Sequence, residues 1–253
     1  LTNLGVAYSD MGEVLKAIGY YEQQLTITRE IGNRRGEGNA LTNLGLAYSN
    51  LGEMQKAIGY YEEALKIDRE IGDRQGEGNA LTGLGNAYYS LGEVQKAIGY
   101  YEQALAIYRE IGDRRGEGAD LGNLGNAYYS LGEVQKAIGY YEQALAIYRE
   151  IGDRRGEGTA LGNLGNAYRD LGEVQKAIGY YEESLKIKRE IGDRRGEGIA
   201  SWNLGLMYAL QGDLARAVER MQVLVDYERA IGHPDAEKHS TLVVEIRRRM
   251  AGG

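Results

Sequence analysis

Residues 86–118 and 126–158 are identical, letter for letter. A chain that writes one phrase so nearly unchanged folds by stacking like units, because no single copy is large enough to bury its own apolar face. The anchor "NLG", or a near match, recurs at Asn3, Asn43, Gly83, Asn123, Asn163 and Asn203, always at a step of 40 residues. Six phrases account for residues 1–232, the first of them short at its N-terminal side. A different segment, 233–253, follows. Leu1 falls inside a helix by this register, so the N-terminus reads as a cut edge.

Each phrase carries two helical stretches. In the phrase from Asp73 to Gly112, Asp73 is placed as an N-cap, and Leu81, Leu84, Gly85, Tyr88 and Leu91 follow at helical spacing. Gly92 stands where a left-handed closing glycine belongs. A second stretch from Glu93 carries Ala97, Ile98, Tyr101, Ala104, Leu105 and Ile111, and Gly112 closes it. No segment alternates with period 2, so strands are not expected. Turns of two or three residues force the paired helices antiparallel. Small residues such as Gly85 and Ala97 leave room for tyrosines on the neighbouring helix. This suits a chain with 38 Gly, 21 Tyr and no Phe. Gly19, Gly59, Gly99, Gly139 and Gly179 fall in the middle of the second helix, on its outer surface, at a cost of ~1 kcal/mol each relative to Ala.

The layout resembles the tetratricopeptide repeat. In the second phrase the matching residues are Leu44, Gly45, Tyr48, Gly52, Ala57, Tyr61 and Ala64. The resemblance implies an all-α, right-handed solenoid of stacked antiparallel helix hairpins. Two departures stand out. Leu41 occupies the family's usual Trp-like position, and only Trp202 supplies a bulky aromatic nearby. The family's Pro after the second helix is replaced by Arg69, Arg109, Arg149 and Arg189. Without that Pro the second helix should run on about one and a half turns, to the Gly of "REIG". Such long repeats look like those of kinesin light chain, of spindle-orientation adaptors and of bacterial signal-transducing NTPases. The tail from Pro234 to about Met250 reads as a capping helix with Leu242, Val243 and Ile246 on one side.

A helix turns ~100° per residue. Leu41, Leu44, Gly45, Tyr48 and Leu51 therefore share one side and form core, while Asn39, Thr42, Asn43, Leu46 and Asn50 share the other. The family resemblance turns that second side toward a concave groove. The resulting rows place Asn43, Asn86, Tyr89, Asn123, Asn126, Tyr129, Asn163, Asn166, Arg169 and Asn203 as candidate peptide-binding residues. In the related arrays such asparagines grip an extended peptide by its backbone. A carboxamide offers donor and acceptor together, and tyrosine adds flat apolar area at little entropic cost. The alternative is that these asparagines hydrogen-bond a neighbouring helix. Gly83 interrupts one row.

Two further features each admit two readings. Trp202, Leu206, Ala209 and Leu210 either seat an apolar ligand side chain or lie under the tail helix. The arginines of the "GDRRGEG" turns either send one member per pair toward an acidic ligand or form a solvated rim.

Several chemistries are excluded or unsupported. There is no Cys, hence no disulfide or thiolate metal site. His233, His239, Asp235 and Glu237 do not share a helix face well enough to suggest a metal, and no phosphate loop, nucleophile elbow or paired-acid cleft is present. No cofactor or metal and no enzyme activity are expected. A net charge of −7 argues against a basic nucleic-acid-binding face, and no apolar run is long enough to span a membrane. The expected protein is a cytoplasmic scaffold that binds a protein or peptide, as the sensor or adaptor region of a larger protein. It would be a monomer or show weak end-to-end self-association. The alternative function is a structural spacer or self-association module.

Overall fold

The computed structural model describes residues 1–252. Among them the regular elements are thirteen α-helices, with no strand. They fall into two compact units, Leu1–Gly132 and the residues from Glu133 onward. The first unit holds α1 (Thr2–Asp10), α2 (Val14–Glu30), α3 (Arg34–Asn50), α4 (Met54–Ile71), α5 (Arg74–Ser90), α6 (Val94–Ile111) and α7 (Arg114–Ser130). The second holds α8 (Val134–Glu150), α9 (Arg154–Asp170), α10 (Val174–Glu190), α11 (Arg194–Leu210), α12 (Leu214–Ala230) and α13 (Ala236–Gly252).

The turns form for local reasons. Asp73 accepts a hydrogen bond from the Gly76 N–H at 3.1 Å, and Asn33, Asp113, Asp153 and Asp193 cap their helices in the same way. Each such cap contributes ~1 kcal/mol. The helices end where the backbone turns left-handed, as at Gly72 (φ 69°) and Gly92 (φ 78°). A side chain there would meet its own carbonyl, so glycine sets the stop. The second helix does run through the position of the missing Pro. In α6 it continues past Arg109 to Ile111, and Gly112 closes it.

Within the first unit, α3 pairs with α4 and α5 with α6, and α5 also touches both α3 and α7. In the second, α9 pairs with α10 and α11 with α12. The pairing depends on tyrosine lying flat on glycine. A Cβ built on Gly85 would sit 2.4 Å from Cε1 of Tyr101, a ring that is only 2% exposed. Gly45 and Tyr61 repeat the contact, as do Gly165 and Tyr181. Leu41, Leu44, Leu81 and Leu84 fill the layer between helices and are essentially inaccessible. Leu51, expected with the core, lies at the turn and is 39% exposed. The mid-helix Gly59, Gly99 and Gly179 lie on the outer surface as expected, with nothing within 4 Å of an added Cβ. Nothing in the structure explains why they are glycine.

Arginines at and before the turns rivet the helices, both within a repeat and from one repeat to the next. Glu37 is buried, and Arg29 and Arg34 hold its two carboxylate oxygens at 2.8 and 2.7 Å. Burial alone would raise the Glu37 pKa, but the two guanidiniums prevail and lower it. The same Arg34 also reaches Glu70 on the second helix of its own repeat, and Arg74 likewise joins Glu77 to Glu110. The second arginine of the turn is engaged too, Arg35 pairing with Asp73 at 2.9 Å.

At the far end of the second unit, Val243 and Ile246 of α13 bury themselves against Met221 and Val225, with Trp202 and Leu206 packed at the edge. The His239 ring lies 4.4 Å from that of Trp202, and its Nδ1 is 2.7 Å from the buried Glu228 carboxylate. Of the two readings of this apolar lining, the tail helix covers Trp202 and Leu206, while Leu210 remains 70% exposed. Leu242, expected on the buried side, turns outward.

Candidate functional site

The candidate residues all lie on first helices of the repeats, on the side away from the leucine layer. In the first unit, α3 carries Asn43, α5 carries Asn86 and Tyr89, and α7 carries Asn123, Asn126 and Tyr129. None is sealed: Asn86 is exposed and the others are half-buried. The Asn86 Oδ1 accepts a hydrogen bond from the Tyr101 hydroxyl at 2.8 Å. That ties the exposed carboxamide to the second helix of its own hairpin. Part of the alternative reading, asparagine bonded to a neighbouring helix, thus holds alongside the exposed one. At Gly83 the row is interrupted because the Tyr61 ring leans onto it, and a Cβ there would sit 2.5 Å from Cε1.

Asn123 donates to Asp120 Oδ1 at 3.2 Å. Asp120 is wholly buried and also accepts from the Thr82 hydroxyl of α5, at 2.9 and 3.1 Å. Thr82 contacts the Tyr108 hydroxyl at 3.3 Å, which donates to Asn79 at 3.0 Å. Burial pushes the Asp120 carboxyl up to about 7, against the opposing pull of the Thr82 and Asn123 hydrogen bonds. The step from α5 to α7 is therefore filled by a polar cluster.

The second unit treats the same step differently. Asn163 and Asn166 of α9 and Asn203 of α11 converge on one cavity of about 170 Å3. Tyr181, Ser184 and Lys188 of α10 also line it, with Gly158, Gly162, Ile199 and Ala200. The Tyr181 hydroxyl donates to Asn166 Oδ1 at 2.7 Å, and Asn203 Nδ2 lies 3.4 Å from the same oxygen. Ser184 donates to the Gly158 carbonyl at 2.7 Å. The Lys188 ammonium lies 3.1 Å from Asp193 and 3.4 Å from the Thr159 hydroxyl. The backbone N–H of Gly196, and then Lys188, hold the Asp193 carboxyl below the usual range. Arg169, further along α9, pairs with Asp170 at 2.9 Å and does not line the cavity.

The sequence pointed to the three asparagines that line this cavity and not to Asp120, Ser184 or Lys188. A signal was present. Across the second to fifth phrases one column reads Thr42, Thr82, Gly122, Gly162, another Asp68, Tyr108, Tyr148, Lys188, and a third Asn39, Asn79, Ala119, Thr159. The copies differ at these positions while most of the phrase is unchanged, and the fifth-phrase members, Gly162, Lys188 and Thr159, all line the cavity.

The tetratricopeptide repeat model matches residues 1–70, 76–150 and 156–227. The chain belongs to the tetratricopeptide repeat family. No curated protein matches its sequence. Among solved structures, a signal transduction ATPase with numerous domains from Pyrococcus horikoshii, which carries a tetratricopeptide repeat sensor, superposes with a TM-score of 0.84 at 21% identity. The match covers 97% of this chain and 38% of that one. A putative kinesin light chain from Podosopora anserina with nearly identical repeats gives 0.62 at 24% identity, over 76% and 94% of the two chains. A Rap protein complexed with competence and sporulation factor gives 0.72 at 18%, over 99% and 75%. These likenesses establish the fold. Among the described residues of this tetratricopeptide chain, no group of three or more His, Asp or Glu is placed to hold a metal, and no helix is long and apolar enough to cross a membrane.

Proposed function

We propose that this chain is a protein-interaction scaffold whose first-helix faces grip an extended segment of a partner protein. The observation that carries this reading is the convergence of Asn163, Asn166 and Asn203 on one open cavity. A carboxamide whose Oδ1 is held by a tyrosine, as in Asn86 and Asn166, presents its Nδ2 in a fixed direction. Fixed donors lose little entropy when they meet a peptide carbonyl. The half-buried Tyr89 and Tyr129 and the side chain of Arg169 extend the same faces. The repeat fold is generally non-catalytic, and the role proposed is binding without turnover. One solved neighbour is a sensor within a larger ATPase and another is held with a factor, which supports a place as the recognition region of a longer protein.

The test is selection of a displayed library of random extended peptides. The intact chain should enrich binders, and the variant N123A/N126A/N163A/N166A should lose them by at least about tenfold, with its helix content by circular dichroism unchanged. Equal retention by that variant would remove the basis for the asparagine rows.

One observation favours a second reading, self-association. At the α1–α2 edge Met11 is 63% and Leu15 75% exposed, and Leu15 stands where later phrases carry the exposed Gln55, Gln95, Gln135 and Gln175. Light scattering across a concentration series decides it. Oligomers that dissolve on Leu15→Glu and ignore the asparagine changes would favour this edge as the functional surface.

A further inference from the structure

The α9–α10–α11 step and the α5–α6–α7 step are built on one frame, so each is a control for the other. In the first unit the space is occupied. The Tyr108 ring is buried, Thr82 bridges to Asp120, and Tyr108 bonds Asn79. In the second unit the same positions are Lys188, Gly162, Ala200 and Thr159. Three side chains have been shortened or removed and a ring has been replaced by a stem, and a cavity of about 170 Å3 results.

Its chemistry follows from how its polar groups are used. The Lys188 ammonium is engaged by Asp193 and Thr159, so its methylenes form the wall, with only 11% of the side chain exposed. The Ser184 hydroxyl is spent on a backbone carbonyl and the Tyr181 hydroxyl on Asn166. No buried side-chain polar atom of these three is without a partner among the described residues. A charged ligand group entering here would have to compete with an existing ion pair and lose its own hydration. An apolar group displaces only water. Ile199 stands at the mouth, 46% exposed, as apolar surface that gains by being covered. An engineered cavity of ~150 Å3 admits one benzene, so the occupant is a single side chain of medium size.

We infer that this cavity is the receptor for one aliphatic side chain, of leucine, isoleucine or methionine size, carried by the segment that the asparagine faces hold. The inference rests on the binding role proposed above and adds the specificity that backbone gripping lacks. A carboxamide row reads any peptide, whereas a cavity sized for one side chain reads one residue.

The test needs no natural partner. N-acetyl-leucinamide is titrated into the protein while the methyl resonances of Ile199 and Ala200 are followed by NMR, with N-acetyl-glutamic acid amide and N-acetyl-lysinamide as the charged probes. Leucinamide should give saturable shifts at millimolar concentration and the charged probes should bind at least tenfold more weakly. The double variant G162T/K188Y installs the residues found at Thr82 and Tyr108, which the frame already accommodates, and should abolish the shifts. K188M keeps the stem and removes the charge, and should retain leucinamide binding within about threefold. Preference for the glutamic acid probe, or its loss in K188M, would overturn the inference in favour of an ionic site. Absence of any saturable shift would overturn it outright. Peptide-library enrichment that survives such a result would show that the asparagine faces bind without this cavity. Failure of the library alone would strike the general reading and leave the cavity's own affinity measured.

Discussion

Two steps of the same array solve one packing problem in opposite ways. Between α5 and α7 the chain inserts a ring, a hydroxyl and a carboxylate. Between α9 and α11 it leaves a hole walled by a lysine stem. Everything beneath is shared: Tyr101 lies on Gly85 as Tyr181 lies on Gly165, and each tyrosine hydroxyl donates to the asparagine of its own hairpin. The comparison separates what holds a tetratricopeptide array together from what distinguishes one part of its surface from another. The frame is copied, and the differences lie where consecutive first helices part.

The largest expected effect tests whether the frame is truly shared. Gly85→Ala and Gly165→Ala each drive a methyl into a buried tyrosine ring, at 2.4 and 2.6 Å from its nearest atom. Overpacking of this kind costs about 1–3 kcal/mol, and the ring cannot swing out without breaking its bond to Asn86 or Asn166. The two variants should lose equal stability in urea unfolding. A loss at one site alone would mean that the two steps differ in their frame and not only in their lining.

The next effect is confined to the filled step. The Asp120 carboxyl sits at about 7 in the folded chain and near its ordinary value, ~3.9, when unfolded. Between those values the folded state holds a proton that the unfolded state has released. Its stability contribution is therefore complete below about pH 4 and is lost as pH rises through 7. Asp120→Asn keeps the hydrogen-bonding shape and removes the titration. It should match the parent near pH 4 and exceed it at pH 8, by a margin on the order of 2–4 kcal/mol. Ala200→Asp should import the same pH dependence into the open step, and with a steeper cost, because Gly162 has no hydroxyl to offer where Thr82 has one. Thermal midpoints at pH 4, 6 and 8 measure both. A flat profile for Ala200→Asp would mean that water in the cavity solvates the new carboxylate.

How much of this was legible follows the same division. The helices, their Asp caps and their glycine stops could be read because each depends on residues within four or five positions. So could the face of each first helix on which its asparagines lie. The roles of Lys188 and Asp120 could not be read from helical periodicity. Lys188 acts on residues of α9 that lie 22–30 positions before it, and Asp120 meets Thr82 across 38 positions. Which second-helix side chain emerges between two first helices is decided by the packing of three elements together. The turn arginines were ambiguous for a similar reason. A charged pair in a turn looks the same whether it faces water or rivets Glu37 to Glu70. What the letters did contain was the pattern of differences between copies. Read column by column, it points to the cavity wall.

The smallest expected effect lies outside both steps and bounds the comparison. Gly99 and Gly179 stand mid-helix on the outer surface of the two units with open space around them. Alanine at either should stabilise by about 0.8–1 kcal/mol, through the lower conformational entropy of the unfolded chain. The two gains should be equal, since neither position senses whether the step behind it is filled or open. A gain at Gly99 without one at Gly179, measured by urea midpoints, would mean that α10 is held differently from α6. The hole beside Lys188 would then reflect a shifted helix as well as shorter side chains, and G162T/K188Y would fail to close it. Equal gains leave side-chain volume as the one variable separating the two steps, and that is the variable on which the recognition proposed for the open one depends.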